Sequence, residues 1–417
     1  MIHSKTNIRW WVLSLLFFAT TINYLDRIAF SVLMPVIRLD LHIDDIMFGQ
    51  INAAFQIAYA AGFVFMGKFI DRYGTRVGYS VSVFFWSLAA GLHAFSSSPI
   101  SLGMWRGMLG VAESGNFPAA IKTVSEWFPK KDRAFATGIF NAGSNVASTI
   151  GPPMFLGMSF VLGWRASFMI TAALGFIWLA IWLWLYRKPT EHKGVNEPER
   201  EYILSDREGD KDGKGIGWGA AFKYRETWGF GLAKFFTDPV WWFYLYWLPL
   251  YFFDVRKFNL SEIAWALPVM YLVADFGSVG GGWLSGFFIR RGWPVSKARK
   301  ATMAIFACCM PVAALAALVE SPFLAIALVS LALAAHQGWS ANLFTTVSDV
   351  FPKQAVASVT GIGGCLGGIA GFICQLATGY VVSQFGYTPV FLTMGTFHLA
   401  GWLIVHNLLG DMRRIEI

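Results

Sequence analysis

The sequence predicts an all-α membrane protein with twelve transmembrane helices in two pseudo-symmetric bundles of six. Hydrophobic residues make up 56% of the 417 residues and charged residues only 14%. A second observation is an internal repeat. Residues 124–139 read VSEWFPKKDRAFATGI, and residues 347–362 read VSDVFPKQAVASVTGI, a shift of 223 positions (347 − 124). A repeat of about half the chain indicates two copies of one unit, and duplicated membrane halves are typical of secondary transporters.

The apolar residues fall into twelve stretches of roughly 20 residues, each long enough to cross the hydrocarbon core of a bilayer. Because unpaired backbone groups are costly in hydrocarbon, each stretch is expected to be a helix. The expected spans are 10–36, 46–66, 77–96, 100–122, 134–160, 166–186, 229–252, 262–289, 299–319, 322–346, 356–382 and 388–409.

Basic residues are distributed unevenly between the expected loops. With a cytoplasmic N-terminus, 25 of the 33 Lys and Arg residues lie in inner loops and tails. The outer loops hold Arg38, Arg165, Arg256 and Lys257. Cytoplasmic loops are rich in Lys and Arg, so this pattern places both termini in the cytoplasm. The net charge of +8 therefore reflects topology, and we expect no nucleic-acid partner.

A long polar stretch separates the two halves. It contains prolines, glycines and mixed charges, which are typical of a linker. We therefore predict an N-terminal half at 1–188, a cytoplasmic linker at 189–227 and a C-terminal half at 228–417. The segment EPEREYIL within the linker is expected to form a short surface helix. A catalytic domain in so few residues is not expected.

The loop after the second span of each half carries another repeated element. Residues 67–76 read GKFIDRYGTR, and residues 282–292 read GWLSGFFIRRG. Glycines permit a tight turn between closely packed helices, and the carboxylate can meet a helix N-terminus or a basic side chain. We predict a conformational latch, here called the latch loop, whose residues are Gly67, Asp71, Arg72, Gly74 and Arg76. The second copy has Gly286 in place of Asp71, so the latch is expected to be asymmetric.

GKFIDRYGTR resembles the signature loop of the major facilitator superfamily, whose members have two six-helix halves around a central cavity. The segments NYLDR (23–27), AESGNFPA (112–119), SEWFPKKDRA (125–134) and AHQGWS (335–340) resemble the anion:cation symporter branch, and SDVFP (348–352) resembles its hexuronate transporters. This resemblance implies proton-coupled uptake of a sugar acid across a bacterial inner membrane.

Four charged residues lie inside expected helices of the first half, namely Asp26, Arg27, Arg106 and Glu113. Charges inside a membrane are costly, so each is a functional candidate. Arg106 and Glu113 are two turns apart on one face, and we expect Asn116 to extend that polar stripe. A guanidinium keeps its charge in a cavity and binds a carboxylate through two parallel hydrogen bonds.

The resemblance implies that Arg27 contacts the substrate and that Arg106 pairs with Glu113 or Asp26. Glu113 is the expected proton carrier, because burial favours the protonated carboxyl whereas a nearby arginine favours the carboxylate. Asp26 is expected as a second proton-coupling site. An ion-pair network that only holds helices together is the alternative for all four side chains.

Recognition of a polyol requires neutral hydrogen-bonding groups and flat apolar faces. The resemblance places Tyr59 at a substrate contact. Further candidate substrate contacts are Arg106, the alternative to Arg27 for the substrate carboxylate, and Asn141, Asn145, Trp241, Tyr244, Gln337 and Asn342. Trp247 is a further candidate for lining the cavity. His336, Asp238 and Asp275 stay ambiguous between structural and functional roles, and Lys122 and Lys234 are expected to be structural.

The resemblance, together with these residues, implies a symporter that imports a hexuronate with protons by alternating access. A carrier of an aldonate or another monocarboxylate and an organic-anion exchanger remain alternatives. No catalytic set or metal cluster converges in the sequence, so an enzyme is not expected. We expect no cofactor apart from protons as the coupling ion. The expected partners are a small sugar-acid anion and the lipid bilayer, and the protein is expected to be a monomer.

Overall fold

The computed structural model describes residues 6–205, 218–351, 353–413 and 415. Its regular structure in these residues is helical throughout, with two short 3₁₀ turns at His93–Phe95 and Leu315–Ala317. The helices are α1 (Ile8–Leu41), α2 (Asp45–Tyr73), α3 (Thr75–Leu92), α4 (Pro99–Glu113), α5 (Asn116–Trp127), α6 (Lys130–Leu162), α7 (Trp164–Leu185), α8 (Glu197–Leu204), α9 (Trp218–Ala221), α10 (Arg225–Asp254), α11 (Leu260–Arg290), α12 (Val295–Ala314), α13 (Pro322–Val350), α14 (Lys353–Phe385) and α15 (Thr388–Leu408).

All twelve expected spans are helical. Nine helices within the described ranges are long and apolar enough to cross a membrane. The expected spans outside that set are α2, α4 with α5, and α10. The fourth expected span is divided at Ser114–Gly115 into two short helices. Helix α10 carries Lys234 and Asp238 in mid-sequence and is rich in Trp, Tyr and Pro. Most helices extend beyond the expected spans, because hydropathy detects only their apolar part.

The structure divides into two compact units. The first comprises Met1–Leu33 and Ala58–Lys211, and the second comprises Met34–Ile57 and Asp212–Ile417. In the first unit, Trp178 on α7 donates a hydrogen bond from Nε1 to the carbonyl of Leu15 on α1, at 2.8 Å. Because the unit boundaries fall inside α1 and α2, the domain limits expected from the sequence remain a prediction.

Close helix contacts shape the second unit. A side-chain carbon added at Gly281 on α11 would lie 2.6 Å from the backbone of Gly338 on α13. Such a distance is too short for any residue larger than glycine, so these helices cross with their backbones nearly touching. In the segment Met34–Ile57, Arg38 pairs with Asp254 at 2.6 Å and with Asp45 at 3.6 Å.

The linker helix is present where we expected it, since α8 covers the EPEREYIL segment. Residues 206–217 of the expected linker lie outside the described residues. Glu199 on α8 is fully buried, and its carboxylate accepts hydrogen bonds from the backbone N–H groups of Ile8 and Arg9. These are orphan donors of the first turn of α1. The Arg9 guanidinium also pairs with Glu199 at 3.2 Å. The linker therefore caps the first helix.

The acidic residue of the repeat, Glu126 in one copy and Asp349 in the other, contacts a neighbouring helix in each unit. In the first, Glu126 on α5 accepts a hydrogen bond from the hydroxyl of Thr75, the first residue of α3, at 2.9 Å. The Tyr186 hydroxyl donates to the same carboxylate. In the second, Asp349 on α13 pairs with Arg299 near the start of α12, at 3.2 Å. The acid thus anchors the third long helix of its own unit.

Candidate functional site

A buried ion pair lies at the centre of the first unit. Nε of Arg27 on α1 donates to Oε2 of Glu113, the last residue of α4, at 2.5 Å. The side chains are 1% and 0% exposed. An ion pair without solvent needs close geometry, since both ions have lost their hydration. The two residues that we expected to carry substrate and proton are therefore in direct contact.

Two tyrosines flank the arginine. The Arg27 guanidinium lies over the ring of Tyr59 at 4.4 Å from the centroid and over the ring of Tyr24 at 5.0 Å. A cation over an aromatic face is attracted by the ring quadrupole, more strongly when water is excluded. The rings therefore hold the plane of the guanidinium. Tyr59 was expected to touch substrate, and in the structure it contacts Arg27, the arginine expected to bind the substrate.

The other two charged residues lie nearby and are also buried. Asp26, which precedes Arg27 on α1, lies beside Thr171 of α7, in the electrostatic field of Glu113 and Arg106. The Arg106 guanidinium lies 4.5 Å from the ring centroid of Phe30. We expected Arg106 to pair with Glu113 or Asp26. The expected pair of Arg106 with Glu113 is wrong, because the Glu113 carboxylate accepts its hydrogen bond from Arg27.

The polar stripe expected on one helix crosses a helix break at Ser114–Gly115. Asn116 begins α5, and its Nδ2 donates to Thr20 Oγ1 on α1 at 3.4 Å. Its side chain accepts from the Tyr79 hydroxyl at 2.5 Å. A side chain added at Gly115 would collide with Ser82 on α3, so glycine permits a close approach of the two helices at this point. Glu113 ends α4 and, like Asn116, contacts α1.

The two asparagines expected to contact substrate lie on α6. Asn141 is exposed and Asn145 is half-buried. The Ser144 hydroxyl donates to the Asn141 carbonyl at 2.7 Å and lies 3.4 Å from the Asn145 amide oxygen. The side chain of Asn141 is thus accessible, as a substrate contact requires.

The candidates of the second unit differ in accessibility. Trp241 on α10 and Gln337 on α13 are half-buried. Tyr244 is buried, with its ring 5.9 Å from that of Phe391 on α15. Trp247 is also buried, and its indole N–H donates to Gln375 on α14 at 2.8 Å. Trp241 and Gln337 remain candidates for substrate contact, whereas the rings of Tyr244 and Trp247 pack inside the unit.

Asn342 was expected to bind a substrate hydroxyl, and the structure assigns its side chain to helix packing. Its Nδ2 donates to the carbonyls of Gly281 at 3.0 Å and Gly338 at 2.9 Å. Its Oδ1 accepts from Arg299 at 3.4 Å. The close crossing of α11 and α13 brings the Gly281 carbonyl within reach of this amide. The sequence did not single out Arg299, although its partner Asp349 stands in the repeat.

The second unit contains a histidine pair that the sequence did not predict. Nδ1 of His336 on α13 lies 3.2 Å from Nε2 of His398 on α15, and both side chains are buried. The His336 ring stacks on Trp241 at 5.5 Å, with 16° between the planes. The sequence feature that could have identified His398 is its position as a polar residue within the apolar sequence of α15. In the described part of the chain, no group of three His, Cys, Asp or Glu side chains could hold a metal ion.

The latch loop makes contacts within the first unit. Arg76 donates to the carbonyl of Leu183 on α7 at 2.6 Å, while Arg72 is exposed. Gly74 has φ of 83°, a conformation that favours glycine. Gly67 lies inside α2 with open space where a side chain would begin, so our expectation of close packing at Gly67 is wrong. The side chain of Asp71 lies outside the described residues.

Lys122 forms a hydrogen bond close to the latch loop. Its Nζ donates to the carbonyl of Ile70, in the last turn of α2, at 3.1 Å. The Ile70 carbonyl also accepts from the Gly74 N–H, and a cation at a helix C-terminus is favoured by the negative end of the helix dipole. The structural role expected for this lysine therefore has a specific partner.

Comparisons with known proteins agree with this architecture. Residues 16–375 match the Major Facilitator Superfamily. The chain is 32% identical to the "Hexuronate transporter" of Escherichia coli K12, over 98% of this chain and 96% of that protein. It is 27% identical to the "Probable galactarate/D-glucarate transporter GarP" of the same strain, over 98% and 96% of the two chains.

A solved structure has the same fold. It is a crystal structure of a bacterial homologue of the human lysosomal transporter Spinster, described as inward-facing and occupied. The TM-score is 0.74 at 21% identity, and the match covers 98% of this chain and 97% of that one. With the helix arrangement and the family match, these findings identify a multi-pass membrane transporter and not an enzyme. The chain belongs to the major facilitator superfamily.

Proposed function

We propose that this protein is a symporter that imports a hexuronate together with protons across a bacterial inner membrane by alternating access. The observation that carries the proposal is the buried pair of Arg27 and Glu113, with its 2.5 Å hydrogen bond and the two tyrosine rings around the guanidinium. A buried arginine suits a carboxylate substrate, and a buried carboxyl suits a proton carrier.

The electrostatics of the pair couple the anion to the proton. A substrate carboxylate that binds Arg27 must compete with the Glu113 carboxylate. Two carboxylates on one guanidinium leave a net negative charge in an apolar interior, which is strongly unfavourable. A proton on Glu113 removes this charge and frees the guanidinium to give the substrate two parallel hydrogen bonds. The anion and the proton therefore bind together as a neutral addition.

Asp26 and Arg106 extend the same arrangement. Both are buried in the first unit, and Asp26 lies within the electrostatic reach of Arg27, Arg106 and Glu113. We assign Asp26 to a second protonation step and Arg106 to balancing the charge of the two acids. With two acids and two arginines the site is neutral, so each substrate anion requires a compensating proton.

Hydroxyl groups of the sugar acid need partners beyond the arginine. The exposed Asn141 and half-buried Asn145 in the first unit and the half-buried Gln337 in the second offer amides. Trp241 offers a flat apolar face for sugar C–H groups. We propose these four as hydroxyl and ring contacts.

The hexuronate is chosen among sugar acids because the E. coli relative with 32% identity carries that substrate in its name. An aldarate, a sugar acid with a carboxylate at each end, is the second candidate, favoured by the name of the relative with 27% identity. The distribution of basic residues supports cytoplasmic termini, and we propose a monomer.

Uptake of radiolabelled galacturonate into proteoliposomes, with and without an inward proton gradient, tests the proposal. We expect concentrative uptake that a protonophore abolishes. Unlabelled glucuronate, galactonate and galactarate added as competitors rank the substrates. Uptake that equilibrates without any response to the gradient would refute proton coupling, and no uptake by folded protein would refute the substrate class.

A further inference from the structure

Two arginines of the first unit meet at one backbone carbonyl. Arg76, in the first turn of α3, donates from a terminal nitrogen to the carbonyl of Leu183 at 2.6 Å, and Arg187, just after α7, donates to the same oxygen at 3.0 Å. Arg187 also donates to the carbonyl of Tyr186 at 2.7 Å. The two nitrogens on the shared oxygen are at most 5.6 Å apart, the sum of their distances to it. Two cations therefore lie together at the C-terminal end of α7.

This arginine pair has no counter-ion in the part of the chain that the structure describes. Glu126, whose carboxylate accepts from the hydroxyls of Thr75 and Tyr186, forms no ion pair with either arginine. Nε of Arg76 is buried and, among the described residues, has no hydrogen-bond partner. The helix dipole offsets only part of one charge, and two like charges at this separation repel each other. The pair therefore has the chemistry of an anion site.

The second unit contains a similar contact between its corresponding helices. Lys300 on α12 donates to the carbonyl of His406 on α15 at 3.0 Å. Trp402 donates back to the Lys300 carbonyl at 3.0 Å, as Trp182 donates to the Arg76 carbonyl at 3.3 Å in the first unit. Each unit thus joins two of its helices through one basic side chain and one tryptophan.

The two contacts differ in charge. At the repeat shift of 223 positions (410 − 187), Arg187 corresponds to Gly410, and the acidic Asp411 follows it. Lys300 lies in the electrostatic field of Asp411. In the second unit, one cation beside an acid is therefore sufficient to join the helices. The first unit has a second cation and no acid in its place, so Arg187 serves something other than the helix contact.

The surface beside the arginine pair is apolar. Along α7, Ile177, Ile181 and Trp184 are exposed at spacings of four and three residues, which place them on one face of the helix. Trp184, in the last turn before the pair, is 77% exposed. Helix α3 continues this surface with the exposed Phe84, whose ring lies 5.8 Å from that of Phe176 on α7. In a membrane protein such a face meets acyl chains, and tryptophan is enriched at the level of the headgroups.

We propose that Arg76 and Arg187 bind the phosphate of an anionic phospholipid of the phosphatidylglycerol class, whose acyl chains lie along the exposed face of Ile177, Ile181 and Trp184. A guanidinium binds phosphate oxygens through parallel hydrogen bonds, and its five N–H groups leave donors beyond those used on the carbonyls. Arg76 belongs to the latch loop, so the bound lipid holds that loop to the end of α7. The inference is independent of the substrate that the protein carries.

Native mass spectrometry of the full-length protein in detergent tests the proposal through dissociation constants for dioleoylphosphatidylglycerol and dioleoylphosphatidylcholine. We expect the wild type to bind the first phosphatidylglycerol at least about tenfold more tightly than phosphatidylcholine, since each basic residue at an anionic surface contributes roughly a fivefold factor. Arg187→Gln should weaken phosphatidylglycerol binding about fivefold and leave phosphatidylcholine binding unchanged. Lys188→Gln is the matched control, because it removes the same charge from the next, exposed position, and it should bind as the wild type does.

Two further probes distinguish a lipid from a free anion. Glycerophosphoglycerol, which is the headgroup without acyl chains, and inorganic phosphate should each bind at least about tenfold more weakly than the lipid, because neither buries apolar surface. Binding of either probe as tight as that of the lipid would overturn the assignment to a phospholipid. An equal loss in Arg187→Gln and Lys188→Gln, or a wild type without preference for phosphatidylglycerol, would overturn the site itself.

Arg76→Lys covers the case in which Arg187→Gln does not fold. Lysine keeps a cation beside the Leu183 carbonyl and loses the planar fork that binds phosphate. We expect phosphatidylglycerol binding to weaken about threefold while phosphatidylcholine binding stays unchanged. Unaltered phosphatidylglycerol binding by folded Arg76→Lys would contradict a guanidinium contact from this residue.

Discussion

Arg27 and Glu113 join α1 to the end of α4 through a hydrogen bond of 2.5 Å that no solvent reaches. The bond uses the Nε edge of a guanidinium that also lies over two tyrosine rings. Removing one partner, or protonating Glu113 alone, leaves an uncompensated charge inside the protein, whereas a proton on Glu113 together with an anion on Arg27 does not. The pair is therefore stable in two states, which differ by one proton and one bound anion.

Glu113→Gln should abolish proton-driven accumulation of galacturonate and preserve exchange between internal and external substrate. The amide cannot take up a proton, yet it leaves Arg27 available to the substrate carboxylate. Uptake against a gradient and counterflow in the same proteoliposomes separate these activities. Glu320→Gln, at an exposed position, is the control and should behave as wild type. Concentrative uptake at the wild-type level by Glu113→Gln would remove Glu113 from the coupling mechanism.

Arg27→Lys should raise the dissociation constant for galacturonate by at least tenfold, because lysine keeps the charge and loses the planar fork and its fit between the rings. Arg27→Ala should lose binding and also destabilise the protein by about 3–5 kcal/mol, since Glu113 would stay buried and unpaired. Arg27→Ala/Glu113→Gln should recover stability without binding.

Isothermal titration and thermal denaturation in detergent measure the two effects of the arginine variants separately. Arg291→Lys is the matched control, because Arg291 is exposed and also rests on an aromatic ring, that of Phe287 at 4.3 Å. Tight binding of galacturonate by folded Arg27→Ala would assign the substrate carboxylate to another group.

Asp349→Asn should lower the free energy of unfolding by about 1–3 kcal/mol, the usual contribution of a hydrogen bond to a charged group. Its carboxylate holds Arg299, which also donates to Ser285 on α11 at 2.8 Å, so three helices share the contact. Thermal denaturation measures the change. Asp411→Asn, which removes an exposed pair with Arg413, should leave the melting temperature unchanged. Equal melting temperatures for both variants would contradict the anchoring role.

Gly281→Ala should destabilise the second unit by about 1–3 kcal/mol through overpacking, because the added methyl group meets the backbone of Gly338 and not a flexible side chain. Gly280→Ala is a stringent control one position away, where an added carbon has nothing within 4 Å. Alanine favours helix over glycine, so this control should be neutral or slightly more stable. Equal loss of stability in both variants would show that backbone propensity, and not helix contact, determines the result.

The sequence predicted the elements of this fold well because its strongest signals are local. Twelve apolar stretches became helices, and the repeat placed Glu126 and Asp349 at equivalent joints. The sequence did not predict the division of the fourth span at Ser114–Gly115. At the break, Gly115 lies against Ser82 of another helix, a contact that no local pattern records.

Partners of the site residues were harder to predict than the residues themselves. Arg27, Glu113 and Asp26 stood out because charges are rare in apolar helices. Their pairing depends on how each helix is rotated about its axis, and a membrane helix is apolar toward both lipid and protein, so hydropathy does not fix that rotation. The same reason explains why Asn342 was expected at the substrate and is found between α11 and α13, and why His398 was not expected beside His336.

The cap that Glu199 provides has a consequence for the order of events during synthesis. Its acceptor lies 190 residues after the backbone N–H of Arg9 that it binds. At about 5–20 residues per second, that separation corresponds to roughly 10–40 s on the ribosome. The earliest helix to leave the ribosome thus waits for its cap until six helices have followed it. The N-terminus of α1 can therefore be capped only after the linker that follows the first half has been synthesised.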